Sequence, residues 1–344
     1  MMDEPITILG AGASGLSSAI ALARNGLNVE VIEKNSHAGG RFIRDFQGLR
    51  NFGNNKVDPI SEFEKLGIHL KPYKKIMRIV RYSHSQNFEI ISNKNPIYYL
   101  VLRGKDKNSI DSQLASYATK QGVYINYNFN IKNNNVNIVA TGPSRVDSLA
   151  YGGIYNDVNI DDAGHVILDK KYSPNGYFYV LPGAKKGEAE VINTAFDPTV
   201  KMNHLKILYN KGIKEINILK GLLNGATRKT IQAGIGCCTL LNEPYKNNKY
   251  YVGEAAGFQD VTAGFGIRYA INSGYLAAQS ILTGKDYNDQ ISKKFGSQLE
   301  FEHKRSVNYK NLTNDDLDKL FHSIDERFGH ELTIEEYESL RGDI

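Results

Sequence analysis

The chain holds 344 residues, with 42 Lys and Arg against 37 Asp and Glu for a net charge of +5, and 41% of it is hydrophobic. That balance suits a globular protein with a full core and excludes wholesale disorder and a collagen-like architecture, while the small, dispersed charge surplus excludes nucleic acid as an expected partner. The only cysteines, Cys237 and Cys238, are too few for a disulfide framework or a zinc site. No apolar run reaches the roughly 18 residues of a membrane span. Met1-Met2-Asp3-Glu4 lacks the basic start and apolar stretch of a signal peptide, so a cytoplasmic location is expected.

In chain order, Ile6–Leu9 reads as a strand, Leu16–Leu22 as a helix closed by Asn25-Gly26, and Val29–Ile32 as the next strand. A helix is expected over Asp58–Leu66 with Gly67 as its stop. Strands follow over Ile76–Tyr82, Phe88–Ser92 and Ile97–Leu102, then a helix over Ser109–Gln121, then strands over Val123–Tyr127 and Val136–Ala140. Alternating segments from Leu149 to Phe196 read as an antiparallel sheet. A helix over Val200–Tyr209, a strand over Tyr250–Val252 and a long helix over Gly266–Leu282, with small residues on one face, come next. Beyond Gly284 the chain is charged and helix-prone, which predicts a solvated helical cap with one helix starting at Asn314-Asp315.

The first turn carries the most chemistry. Gly10, Gly12 and Gly15 have G-x-G-x-x-G spacing, leave a predicted strand and open a predicted helix. Gly10 permits the tight turn, a side chain at Gly12 would block a pyrophosphate, and Gly15 lets the helix lie close on the strand. The amides of Ala13 and Ser14, at the positive end of the helix, suit phosphate. Glu33, followed by Lys34, ends the second strand 18 positions after Gly15, where a carboxylate accepts ribose hydroxyls.

Three later features favour FAD over NAD. Gly39-Gly40-Arg41 brings an arginine towards the pyrophosphate or ribose, and Thr141-Gly142 ends a strand far downstream. Gly253-Glu254 then ends a late strand, where a carboxylate suits a ribityl or phosphate-side hydroxyl. Gly264-Phe265-Gly266-Ile267 opens the long helix, whose N-terminal amides suit the flavin N1/C2 edge, where negative charge gathers on reduction. NAD alone needs no such second site.

Together these segments, from Ile6 to about Leu282, resemble the geranylgeranyl reductase family of flavoproteins, within the larger glutathione-reductase-like and p-hydroxybenzoate-hydroxylase-like FAD fold. Val252–Asp260 with Gly264–Ala270 is the most specific match. The resemblance implies that Arg103 approaches FAD and that the strand ending near Phe129 reaches the adenine. It also implies that Tyr177-Phe178-Tyr179-Val180-Leu181-Pro182 stands for the family's Tyr-x-Trp-x-Phe-Pro wall of a lipid pocket. Departures are Tyr179 for tryptophan, Leu181 for phenylalanine, Glu254 for the usual aspartate, and Thr141-Gly142 for the Asp-Gly of the wider fold's hydroxylases. Phe46–Arg50 occupies the stretch where characterised archaeal reductases carry cysteine motifs.

The fold class expected is α/β: a Rossmann-like FAD-binding domain, an inserted mainly antiparallel substrate sheet and a C-terminal helical segment. The division expected is 1–75, 100–148 and 245–283 for the FAD-binding domain, 76–99 and 149–244 for the sheet domain, and 284–344 for the cap. The function expected is reduction of carbon–carbon double bonds in a hydrophobic isoprenoid or lipid-like substrate by hydride from reduced flavin. Scattered histidines show neither triad nor metal spacing, so no catalytic residue is assigned; Tyr177 and Tyr179 are candidate proton donors beside water. A single dinucleotide fingerprint leaves electron supply to diffusing NAD(P)H or a ferredoxin-like redox partner. The C-terminal helices could also cover the substrate mouth or touch a membrane peripherally. A flavin monooxygenase using NAD(P)H and a non-enzymatic FAD-binding electron-transfer protein are the rival readings. Cys237 and Cys238 read as small buried hydrophobes, with a strained vicinal disulfide as the alternative.

Overall fold

The computed structural model describes residues 4–51, 57–131 and 135–340, so Met1–Asp3, read above for a leader, lie outside it. The chain opens as expected: β1 (Ile6–Leu9), α1 (Ala13–Ala23) and β2 (Val29–Ile32), with β1 and β2 parallel. The first departure is β3 (Asp45–Arg50), which no periodicity announced. Then come α2 (Pro59–Lys65), β4 (Lys74–Ile76), β5 (Arg78–Tyr82), β6 (Asn87–Ile91) and β7 (Tyr98–Arg103). The single strand expected over Ile76–Tyr82 is thus two, broken at Met77, and the halves join different sheets. Helix α2 starts where its residues dictate: Pro59 occupies the first turn and the Asp58 carboxylate accepts the amides of Ile60 and Ser61.

Next are α3 (Ile110–Lys120), capped by the Ser109 hydroxyl, β8 (Tyr124–Asn126) and β9 (Ile138–Val139). The inserted region supplies β10 (Ser148–Asn156), β11 (Gly164–Ile167), β12 (Phe178–Pro182) and β13 (Ala189–Ala195). The helix expected over Val200–Tyr209 begins at Met202 and runs on: α4 (Met202–Glu215) is followed by α5 (Asn217–Leu222). Short strands β14 (Thr227–Arg228), β15 (Gln232–Gly236), β16 (Tyr245–Lys246) and β17 (Lys249–Tyr251) lead to the long helix α6 (Ile267–Thr283). The tail holds α7 (Tyr287–Asn311), α8 (Asn314–Phe328), β18 (Glu331–Thr333) and α9 (Ile334–Ser339).

The strands form three sheets. A six-stranded sheet runs β16-β17-β9-β1-β2-β8, parallel except at its β16 edge. A nine-stranded sheet runs β14-β10-β13-β12-β11-β5-β6-β18, with β15 also on β10. It is mainly antiparallel, with parallel pairs at β11–β5 and β18–β6. A three-stranded antiparallel sheet, β3-β7-β4, completes the set.

Period-2 alternation decides what each face of the large sheet meets. Phe178, Val180, Val191 and Ala195 join Leu205 and Tyr209 of α4 in one core. Tyr177, Tyr179, Leu181, Ile192 and Thr194 turn to the other side, onto an internal cavity. The solvated-cap reading of the tail is corrected by the same packing. Strand β18 pairs with β6, and Leu317, Phe321 and Ile324 of α8 are buried against Phe88, Ile90 and Ile97. A charged sequence hid this because α8 keeps its apolar residues to one stripe.

Candidate functional site: two helix N-termini on one cavity

Gly10 takes φ +110°, and a Cβ there would lie 2.3 Å from the Ala140 carbonyl oxygen. A Cβ on Gly15 would lie 2.0 Å from the Gly10 carbonyl oxygen, so both glycines are required by the protein's own backbone. Gly12 differs. It caps α1 in ordinary extended geometry, at φ −86°, and a Cβ there would meet nothing within 4 Å. Helix α1 has no side-chain cap and no acidic residue in its first turn, so its leading amides are free to bind an anion.

Helix α6 repeats the arrangement. Gly266 caps it without a side-chain hydrogen bond, and its first turn carries no acid. The two helices are held in close contact through small residues: a Cβ on Gly274 would sit 2.1 Å from the Ser14 carbonyl oxygen, and the Ser17 hydroxyl donates to the Ile271 carbonyl at 2.7 Å. The glycines therefore do two jobs, closing the packing below and leaving uncapped amides above.

Both helix starts face one connected cavity of about 1360 Å³. Ligand sites commonly run about 300–1,000 Å³, so this space exceeds what one small molecule needs. Its wall includes Gly10, Gly12, Ala13, Ser14, Glu33, Lys34, Gly40, Arg41, Arg103, Thr141, Gly142, Glu254, Gly264, Phe265, Gly266 and Ile267, along with Tyr177 and Tyr179. Three of the expected cofactor residues are not on it. Gly15 sits beneath the turn, and Gly253, at φ +58°, packs on the Ser14 side chain. The Phe129 ring points to solvent, 49% exposed, while its amide donates to the Glu33 carbonyl; Asn130 and Ile131 line the cavity instead.

The charged groups are arranged by the protein itself. The buried Glu33 carboxylate accepts the Ala11 amide at 2.8 Å and the Asn35 amide at 2.9 Å, which fixes it at the end of β2 with acceptor capacity remaining. Arg41 pairs with Glu254 at 2.6 Å, joining the first loop to the short 3₁₀ turn Gly253–Ala256. Arg103 is held more tightly: it grips Asp111 through two 2.9 Å bonds, donates to Gln47 and lies over the Phe42 ring. Its guanidinium is thus largely engaged in positioning the wall.

Sequence reasoning missed a buried ionic group beneath the α6 loop. Arg50 of β3 pairs with Asp260 and with Glu302 of α7. Asp260 in turn accepts the amides of Thr262 and Ala263, so the group pins the 260–264 loop against the cavity. Asp260 lay within the most specific motif, but its partners come from strands and helices far away in sequence. Cys237 and Cys238 are free thiols, so no vicinal disulfide forms, and burial raises the Cys238 thiol well above its ordinary range.

The cavity continues away from the glycine turn into an apolar arm walled by Ile79, Ile90, Ile97, Leu168, Leu181 and Ile192. Its far side is the tail: Leu317, Leu320, Phe321, Ile334 and Tyr337. Tyr177 donates its hydroxyl proton to the Ala263 carbonyl, and its ring stacks on Phe196. Burial raises both the Tyr177 and Tyr179 phenols well above their ordinary range. No cluster able to hold a metal occurs among the described residues.

A dinucleotide fits this architecture on structural grounds: an open side at Gly12, uncapped amides at two helix starts, and the buried Glu33 carboxylate share one space. Residues 8–52 match the family model of an NAD(P)-binding Rossmann-like domain. The chain's fold is also that of a geranylgeranyl bacteriochlorophyll reductase-like protein from Thermoplasma acidophilum, which superposes with a TM-score of 0.79 at 20% identity, covering 96% of this chain and 93% of that one. In sequence, it is 32% identical over 129 residues to digeranylgeranylglycerophospholipid reductase from Methanosphaerula palustris, covering 37% of this chain and 31% of that protein. It is 22% identical over 187 residues to digeranylgeranylglycerophospholipid reductase 2 from Methanopyrus kandleri, covering 50% and 47%. The chain thus spans less than half the length of both curated relatives.

Proposed function

We propose that the protein is an FAD-dependent oxidoreductase that reduces carbon–carbon double bonds in a hydrophobic isoprenoid or lipid-like substrate. The observation that carries this reading is the single cavity with two uncapped helix N-termini at one end and an apolar arm at the other. The similarity to reductases of geranylgeranylated lipids supports it.

In this reading residues 1–75, 100–148 and 245–283 bind FAD, 76–99 and 149–244 bind substrate, and 284–344 closes the apolar arm. The first-turn amides of α1 hold the pyrophosphate and Glu33 accepts the adenosine ribose. Arg41 and Glu254 flank the middle of the cofactor, and the start of α6 meets the pyrimidine edge of the ring. Bound FAD supplies the hydride, and positive potential at the start of α6 favours its reduced, anionic form. Tyr177, Tyr179 and Leu181 wall the substrate and exclude water. Electrons come from NAD(P)H or a ferredoxin-like protein. A lipid-like substrate implies an approach to a membrane surface, and no helix among the described residues is long and apolar enough to cross one.

The test is anaerobic. Protein loaded with FAD and reduced with dithionite is mixed with geranylgeranyl diphosphate, and flavin reoxidation is followed while the product is weighed by mass spectrometry. Reoxidation with addition of hydrogen to the chain is the expected result. An oxygenated product formed only with oxygen and NAD(P)H would instead identify a monooxygenase.

A further inference from the structure

One buried carboxyl behind the cavity wall has no part in holding the cofactor. Glu190 lies on β13, two residues before Ile192 and four before Thr194, so alternation places it on the cavity face of the sheet. It is fully buried, at 0% exposure. Its Oε2 accepts the Phe46 amide at 2.6 Å, whereas its Oε1 finds no hydrogen-bond donor among the described residues. Beside the Glu190 carboxyl lies another, that of Asp45 on β3. Asp45 is half-buried and itself lines the cavity.

We propose that Asp45 and Glu190 share one proton and deliver it, through Asp45, to the substrate carbon opposite the one that receives the hydride. The proposal rests on the reductase reading and names its missing proton source.

Two carboxyl groups in contact away from water cannot both be ionised. If both were, Glu190 Oε1 would be a buried charge facing a like charge with nothing to donate to it. One proton resolves both faults, because a protonated Glu190 donates to Asp45. The surroundings decide where it rests. Burial and the Asp45 charge push Glu190 well above the usual carboxylate range. Burial also raises Asp45, but the bonds from Glu190 and Gln47 and the charges of Arg103 and Arg41 oppose that rise. The proton therefore sits on Glu190, with Asp45 as the acceptor at the cavity surface. The other charged and titratable groups facing the pair are Arg44, itself paired with Glu188, and the Tyr179 phenol.

The step balances simply. The alkene π bond breaks and two C–H bonds form, one from the hydride of the reduced flavin. The other uses the π electron pair to take the pair's single proton, which passes from Glu190 to Asp45 and on to the carbon. The flavin is oxidised, the alkene is reduced, and water restores one proton to the pair. The carbon becomes far more basic than a carboxylate as the hydride adds, so a reluctant acid still suffices. The tyrosines fit worse, since Tyr177 commits its proton to a backbone carbonyl.

Asp45→Asn and Glu190→Gln test this without changing side-chain size. In the infrared spectrum of the full-length, FAD-free protein at neutral pH, the native chain should show a protonated carboxyl band that Glu190→Gln removes. In the anaerobic assay with geranylgeranyl diphosphate, Asp45→Asn should slow reoxidation by about 10²-fold or more at unchanged FAD affinity and abolish the solvent deuterium effect. Glu190→Gln should move the alkaline limb of the pH profile. Absence of the carboxyl band in the native protein, or native reoxidation rates in Asp45→Asn, would overturn the proposal and leave the reductase reading standing. Failure of the alkene to reoxidise the native, FAD-loaded protein would remove the reductase reading and the catalytic role with it. The band would then report the shared proton alone.

Discussion

Gly12→Val separates the cofactor from the fold. Gly12 has backbone angles open to any L-residue, and a Cβ there would touch no protein atom within 4 Å. The folding penalty is therefore limited to a poorer helix cap, about 1 kcal/mol. The valine methyls would instead fill the space above the first-turn amides of α1. Each charge-assisted hydrogen bond from those amides to phosphate is worth about 1.5–3 kcal/mol. Losing two costs about 3–6 kcal/mol, or about 10²- to 10⁴-fold in FAD affinity. Thermal melting of FAD-free protein and an FAD titration by flavin fluorescence give the two quantities separately. Near-native melting with FAD affinity lost is the expected result. Unchanged affinity would refute the placement of phosphate over α1. Gly15→Val is the control, because its Cβ would lie 2.0 Å from a backbone oxygen and the fold itself should fail.

Other perturbations read other parts of the account. Gly266→Asp fits sterically, since a Cβ there comes no nearer than 3.6 Å to Gln259. It should cap α6 and hold or raise stability while lowering the flavin midpoint potential by about 30 mV or more, equivalent to about 1.4 kcal/mol for two electrons; a potential that stays put or rises would mean that α6 does not face the ring. Burial alone would raise Glu62, but Arg268 and Lys294 overcome it and hold the carboxyl below its ordinary value. Its contribution is therefore complete above the unfolded value of about 4.3 and is lost as pH falls through the lower folded value. Glu62→Gln should cost about 3 kcal/mol at pH 7, mostly through Arg268 because Lys294 is 36% exposed. Denaturation midpoints should then converge with the native protein's in acid, and a gap independent of pH would contradict the pairing. Phe321→Ala, at a residue 2% exposed on the apolar arm, should cost about 3 kcal/mol and admit bulkier chains; a melting temperature equal to the native one would mean the tail does not close the arm.

The dinucleotide half of the molecule was legible because its signals are local. Gly10, Gly12 and Gly15 fall within six residues, Asn25-Gly26 closes α1, and Ser109 caps α3. The half built on the nine-stranded sheet was legible in class only. Met77 divides one apolar run between two sheets, a choice made by the partner strands β7 and β11 rather than by the run itself. Strand β3 escaped notice because Gln47, Gly48 and Arg50 are weak strand formers, and its order comes from pairing with β7. The tail was read as solvated because its charge is obvious and its buried stripe is narrow. Nothing local marks Glu190 in the sequence; only its zero exposure and its neighbour Asp45 reveal it. Arg50, Asp260 and Glu302 are likewise separated by 210 and 252 positions from one end of the group, so no window of sequence could join them.

In the proposed arrangement one cofactor spans the starts of α1 and α6. A structure of the full chain reconstituted with FAD tests this most directly. One FAD per chain is predicted, with its pyrophosphate on the Ala13 and Ser14 amides and its ring edge at Gly266 and Ile267. Protein that takes up no FAD, or a dinucleotide held at α1 with the start of α6 untouched, would contradict it.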